Sequence, residues 1–421
     1  MNSRTATVLE VDKDVHVARN AARGILIAAN NLHAAHAADL PARVEKVAAV
    51  AAAHAAAVDN ESRFPEEAIA AARAEHLLGI AVARELGGEG AGIADIVDIC
   101  YALGRACAST AMIYAMHQTK VACLVRHGKT SAWHQLLLRR LYNEQLLLAS
   151  STTEGQGGGD VRNSTAPIEY DGSRISLERQ ATVVSYGKAA DGLVTTARRS
   201  ADSPSSDQVL VAFLKQDYTL EPVAGWDAFG MRGTCSEGVK LMASGSRDQI
   251  LPVSYDKIHA QTMMPVAHLL WSAAWAGIAT AAVDRARAFV RQAAQRSGGT
   301  LPPAAAHLTR ANATLRTLRS LIATSLRRFD LAGDDPGTLE SIDFQTGMNL
   351  LKVNASELAV AAVMSAMQTC GLSGYRNDSE FSVGRHLRDI LSSPVMISND
   401  RILANIAAAS MLGSAPNSLS D

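Results

Sequence analysis

Three stretches of this 421-residue chain carry residue types that could do chemistry. The first begins at Leu148-Ala149 and runs through Ser150-Ser151-Thr152-Thr153-Glu154-Gly155-Gln156-Gly157-Gly158-Gly159-Asp160. Its glycines allow close backbone approach to a flat ligand, and exposed N–H groups there can bind a polar ring edge or a phosphate. The glycine order is neither a Walker nor a Rossmann pattern, and a plain surface turn would use the same residues. The second stretch is Trp226-Asp227-Ala228-Phe229-Gly230-Met231-Arg232-Gly233-Thr234-Cys235-Ser236. It mixes an aromatic, an arginine and hydroxyls, and suits either a ligand contact or a tight turn ordered by its own hydrogen bonds. The third runs from Gln368 through Gly371, Gly374 and Tyr375 to Arg388-Asp389. Its glycines would let a ligand approach a helix end, or would simply cap that helix.

The surrounding pattern says what must position these stretches. From about Leu40 to Gln145 it is helical, broken at Phe64-Pro65 and at Gly87-Gly88-Glu89-Gly90. Between Leu148 and Pro252 short β-prone runs alternate with turn signals. Ile168-Glu169-Tyr170 and Ile175-Ser176-Leu177 flank Asp171-Gly172, a hairpin signal. Thr182–Ser185, Leu193–Thr196 and Val209–Leu214 read as further strands, with Ser203–Asp207 an exposed loop. From Ile258 the chain is helical again; Gly298-Gly299 and Pro302-Pro303 separate two long helices, and Gly371 caps another. The expected plan is mainly α with a central β domain: an extension at 1–25, a helical domain at 26–147, a β domain at 148–255 and a helical bundle at 256–421.

Bulk properties agree with packed helices: 48% of residues are hydrophobic and only 5% aromatic. Forty basic residues against forty-one acidic ones give no electrostatic reason to expect nucleic acid or an anionic membrane as partner. Met263–Val283 has no formal charge and is long enough to cross a bilayer. Pro265, His268, Ser272 and its many alanines fit a helix buried inside a bundle better. Five scattered cysteines without close pairing read as free thiols in a reducing compartment, and the start lacks a secretory core, so a cytoplasmic location is expected.

Taken together, the three stretches resemble the acyl-CoA dehydrogenase superfamily. Thr153-Glu154-Gly155-Gln156-Gly157-Gly158-Gly159-Asp160 is similar to its Thr-Glu-Pro-Gly-x-Gly-Ser-Asp flavin loop. Gly230-Met231-Arg232-Gly233-Thr234-x-Ser236 is similar to its Gly-Met-Arg-x-Thr-x-Ser segment. Gln368-x-x-Gly371-x-x-Gly374-Tyr375 with Arg388-Asp389 resembles its C-terminal signature, and Phe64-Pro65 with Gly79-Ile80 and Gly87-Gly88-x-Gly90 its N-terminal domain. The resemblance implies an acyl-CoA dehydrogenase-like fold with a C-terminal four-helix bundle, bound FAD, and a homodimer or homotetramer. It places Ser150, Thr152, Thr153, Gly158 and Gly159 along the flavin, with Val183 and Ser185 at its reactive edge. Gln368 and Gly371 would approach the FAD of a neighbouring subunit. Arg296 and Asn399 are further flavin-contact candidates, Arg296 without the Phe-Gly that follows it in the family.

One expected residue is missing. Most family members remove the α-proton of an acyl thioester with a glutamate nine residues after the Arg of Arg-Asp. Nine from Arg388 is Ile397, and the isoleucine expected five later is present as Ile402. The alternative glutamate position falls near Ala267. General-base catalysis is worth about 100- to 10,000-fold, so the reaction divides three ways. An atypical base could serve α,β-oxidation of a coenzyme A or carrier-protein thioester, with His268 the leading candidate, Asp400 the second, and an electron acceptor downstream. The protein could instead be a flavin monooxygenase fed by a partner reductase, which needs no such base. A non-catalytic paralogue is the third reading. Glu154 reads as a structural member of the loop.

Overall fold

The structure, a computed structural model, describes residues 39–154 and 161–412. The expected extension at 1–25 lies outside the described residues, as do the candidates Gly158 and Gly159. The chain divides into two compact units, residues 1–45 and 46–421.

The N-terminal helices are α1 (Leu40–Asn60), α2 (Glu66–Ala74), α3 (Ile93–Ala106), α4 (Ala108–His127) and α5 (Ala132–Glu144). Phe64-Pro65 leads into α2, and Gly87 and Gly90 take positive φ in the turn before α3. Helix α4 is buried along nearly its whole length. Its His117 and Gln118 bond the Leu77 and Leu78 carbonyls, which no neighbouring helix turn could satisfy.

Among the described residues the strands that follow are β1 (Leu148–Ser151), β2 (Glu169–Asp171), β3 (Arg174–Val184), β4 (Gly192–Arg198), β5 (Gln208–Leu214), β6 (Tyr218–Ala224) and β7 (Glu237–Ser246). They form two sheets, ordered β1-β4-β5 and β2-β3-β7-β6. The hairpin around Gly172 is present, with Asp171 opposite Arg174. The runs at Ile175 and Thr182 are one strand rather than two. The polar residues between them alternate faces, and β3 bends at a register shift between Ala181 and Val184 instead of ending. Arg179 takes an inward position on β3 because Thr195 and Thr196 of β4 accept its hydrogen bonds.

The C-terminal helices are α6 (Tyr255–Ile258), a π-helical turn at His259–Met263, α7 (Met264–Arg296), α8 (Ala305–Ala332), α9 (Pro336–Leu339), α10 (Ile342–Cys370), α11 (Leu372–Tyr375), α12 (Gly384–Ile390) and α13 (Asn399–Leu412). The uncharged segment forms the first part of α7, where the residues from Met264 to Val283 are almost all buried; the helix packs against α3, α4, α8 and α10. Close approach of α3 and α7 depends on paired glycines: a Cβ on Gly277 would lie 2.3 Å from the Tyr101 carbonyl oxygen, and one on Gly104 2.3 Å from that of Ala274. Tyr255–Arg296 and Ile342–Cys370 are long and apolar enough to cross a membrane, and 94% and 56% of their most apolar windows are buried inside the protein. Gly298 and Gly299 end the α7 region with positive φ, and Gly371 ends α10 at φ +55°. All five cysteines are free, four of them buried.

Candidate active site

A cavity of about 1140 Å³ opens where α4, the β1 and β3 ends, the turn at 226–236, the π turn, α7, α10 and the segment 391–406 meet. The strand ends deliver Ser150, Thr152, Thr153, Val183 and Ser185 to its wall. Strand alternation explains the last two: Val183 and Ser185 face the cavity while Val184 is buried behind them.

Ser185 belongs to a hydroxyl chain. Thr234 Oγ1 donates to the Met231 carbonyl (2.9 Å), contacts Ser236 Oγ (2.7 Å), and Ser236 Oγ contacts Ser185 Oγ (2.8 Å). Three hydroxyl protons serve three contacts only in the direction Ser185 to Ser236 to Thr234 to Met231. Ser185 therefore offers lone pairs to the cavity and favours a ligand atom that donates. Ser236→Ala should lower stability by about 1 kcal/mol, the size of one neutral buried bond, measured by denaturant unfolding; no loss would mean that the chain is not formed.

The 226–236 turn is held from both sides. Trp226 Nε1 donates to the Met231 carbonyl (3.1 Å), and Arg232 donates to the carbonyls of Ala228 and Asp59. Arg388 of α12 pairs with Asp59 and donates to the Phe229 carbonyl, while the Met231 N–H donates to buried Asp389 at 2.7 Å. Burial pushes the Asp389 carboxyl up to about 6. Glu154 ties the two ends of the glycine-rich segment together: it accepts from Ser164 (2.6 Å) and from the Thr165 N–H (2.7 Å), and sits 3.5 Å from Arg179.

His268 lines the cavity and is 3% exposed. Its Nδ1 lies 2.9 Å from the Met348 carbonyl, which can only accept, so Nδ1 carries the proton and Nε2 the lone pair. Burial pushes its pKa down to about 3. Ile397 and Ala267, the two positions of a family glutamate, both line the cavity. Ile397 has φ +49°, an uncommon conformation for a β-branched residue. Buried Lys352 of α10 holds it, with Nζ donating to the Ile397 carbonyl (2.8 Å) and to Asn399 Oδ1 (2.7 Å).

Other candidates are not brought to the cavity. Asn399 is buried, and its side chain is used by Lys352 and Ser356. Asp400 is exposed in the first turn of α13, where a carboxylate suits the helix N-terminus. Arg296, Gln368 and Gly371 are exposed at the ends of α7 and α10. Among the described residues, the acidic side chains on the cavity wall are Asp256 and Glu340, both exposed.

The wall fits a flavin on two counts. Much of it is apolar, with Met112, Met116, Val183, Met264 and Trp271. Buried Gln208 Oε1 and Trp271 Nε1 have no hydrogen-bond partner among the described residues, as expected of atoms that a polar-edged ring would satisfy.

Comparison with known proteins agrees. Residues 38–144 match the family model for the acyl-CoA dehydrogenase N-terminal domain, and residues 259–412 that for the acyl-CoA dehydrogenase C-terminal domain. The chain belongs to the acyl-CoA dehydrogenase superfamily. Within it, the chain is 24% identical over 362 residues to cyclohex-1-ene-1-carbonyl-CoA dehydrogenase of Geobacter metallireducens, covering 84% of this chain and 92% of that protein. It is 24% identical over 353 residues to the amino sugar nitrososynthase DnmZ of Streptomyces peucetius, covering 80% and 84%. The structure of TdsC from Paenibacillus sp. A11-2 with FMN and indole superposes with a TM-score of 0.77 at 17% identity, covering 90% of this chain and 98% of that one. The fold is thus that of the acyl-CoA dehydrogenase-like flavin oxidoreductases.

Sequence reasoning misses Lys120 and Lys352. The signal for Lys120 is there: it is the one Asp, Glu, Lys or Arg between Arg105 and Arg126. A lone charge in an uncharged stretch of a buried helix is a cue for a site.

Proposed function

We propose that this protein is a flavin-dependent monooxygenase of the acyl-CoA dehydrogenase fold, acting on a small organic molecule. The observation that carries the reading is the cavity wall itself, where both positions for a catalytic carboxylate are hydrocarbon and the described acids stand exposed. A bound reduced flavin would supply the electrons that put one oxygen atom of O2 into the substrate and the other into water. That reaction needs no α-proton base. Ser185 supports it too, since its lone pairs suit the additional ring N–H that a reduced flavin carries. His268, neutral and weakly basic, would orient a ligand through Nε2.

FAD is the proposed flavin. Since Gln368, Gly371 and Arg296 are exposed in the single chain, a flavin role for them requires a second copy, and a homodimer or homotetramer is proposed with it. A cytoplasmic flavin reductase is the proposed electron source. Cofactor released by heat and separated by chromatography should be FAD; FMN would remove the need for those three contacts. Oxygenated product should form only with both a reductase and the organic substrate present, whereas thioester-driven turnover without a reductase would overturn the proposal.

One observation favours a second reading, oxidation of an acyl thioester. The His268 lone pair sits beside Ala267, where some relatives place their base. Its low basicity weighs against it, because a group with a pKa near 3 is a poor acceptor for a weakly acidic proton.

A further inference from the structure

Helix α4 turns Met112, Met116, Thr119 and Lys120 toward the cavity, the spacing of one helix face. Lys120 is 3% exposed. Its Nζ donates to Met263 Sδ at 2.8 Å, and a thioether is a weak acceptor. Thr119 gives it no help as a charge, and its hydroxyl donates back to the Ala115 carbonyl. Among the described residues, no carboxylate pairs with the amine; burial chiefly disfavours its charge, with Cys123 opposing and the Arg179 guanidinium adding to the effect, and its pKa falls to about 8. At neutral pH it remains an ammonium without a counter-charge, an arrangement that costs stability unless a ligand completes it.

The π turn sets this position up. Its wide winding brings Met263 onto Lys120 and Thr262 onto His127, 2.7 Å from Nε2, and π turns occur mostly at functional sites. A single amine among methionines suits one carboxylate on an apolar body. A phosphate would call for several converging donors.

We propose that Lys120 anchors a carboxylate of the substrate, so that the cavity selects organic acids over their neutral analogues. The inference deepens the oxidoreductase reading and rests on this cavity being the substrate site.

The test compares phenylacetate with phenylacetamide, titrated into flavin-loaded protein and followed by calorimetry. Wild type should bind the acid about tenfold or more tightly than the amide. Lys120→Met should bind both alike and, relieved of a buried charge, melt about 2 °C or more higher. Lys120→Arg should keep the preference. Equal binding of the two probes by wild type, no binding of either, or a preference surviving in Lys120→Met would overturn the proposal. Loss of the flavin is seen separately in the visible spectrum and defeats the oxidoreductase reading; the same titration on flavin-free protein then still decides the lysine.

Discussion

Gly230→Ala is expected to cost about 3 kcal/mol or more, at the upper end of what overpacking a rigid site does. A Cβ at Gly230 would stand 2.1 Å from the Arg388 carbonyl oxygen and 2.7 Å from the Asp389 nitrogen, all backbone that cannot swing aside. Moving α12 away to relieve the clash would break the Met231 N–H bond to Asp389 and leave a buried carboxyl unpaired. It would also pull Arg388 from Asp59. Gly225, five residues earlier, is the control. A Cβ there meets nothing within 4 Å, so Gly225→Ala should change stability by less than about 0.5 kcal/mol. Denaturant unfolding of both variants checks the pair. Equal effects would mean that α12 does not seat on this turn.

The second large effect is acid lability. Five buried histidines are held below their ordinary value: His117, His127 and His134 fall to about 4, His268 to about 3, and His386 well below 6.5, all chiefly through burial. Two show what protonation would break. His117 Nδ1 accepts the Leu148 N–H, and His386 Nε2 lies 3.0 Å from an Arg285 guanidinium that can only donate. Because each folded pKa lies below the unfolded one, the unfolded chain takes up protons first as pH falls. Stability is full above about pH 6.5 and is lost progressively toward pH 4. Asp389 has the opposite sign, since its raised pKa makes the folded state bind the extra proton between about 6 and 3.8. Asp98 and Asp330, also raised chiefly by burial, act in the same sense as Asp389, but the five histidines outweigh them and leave a net loss on the order of 5 kcal/mol between pH 6.5 and 4.5, allowing for local relaxation. Urea midpoints across that range should fall steeply. A flat profile would show the histidines to be solvated.

Much of this organisation is legible in the sequence because it rests on local rules. Gly298-Gly299 and Gly371 end helices where only positive φ fits, and the Gly172 hairpin is set by its turn. The uncharged run at Met263–Val283 reads as a buried helix, and α7 is one. The strands β6 and β7 escape such reading, because Glu237–Ser246 is rich in small and polar residues and becomes a strand only between β3 and β6. Strand β1 pairs in parallel with β4 from more than 40 residues away, which no local pattern announces. In the site, motif order brings Ser150, Thr152, Thr153, Val183 and Ser185 to one wall, as strand period and chain direction require. Asn399 and Asp400 go elsewhere because buried Lys352 fixes the register of that segment from another helix. Which way a helix turns a single lysine is decided by tertiary packing, so the sequence can single out Lys120 but not the cavity that it faces.

The most direct measurement is an anaerobic titration of the flavin-loaded protein with a panel of acyl-CoA and acyl-carrier-protein thioesters, read at the visible flavin band. The hydrocarbon at Ile397 and Ala267 predicts that every thioester leaves the band intact, that a flavin reductase bleaches it, and that admitting air restores it with oxygen consumed. Bleaching by any thioester alone would contradict the account, because it would require the proton acceptor that this cavity wall does not supply.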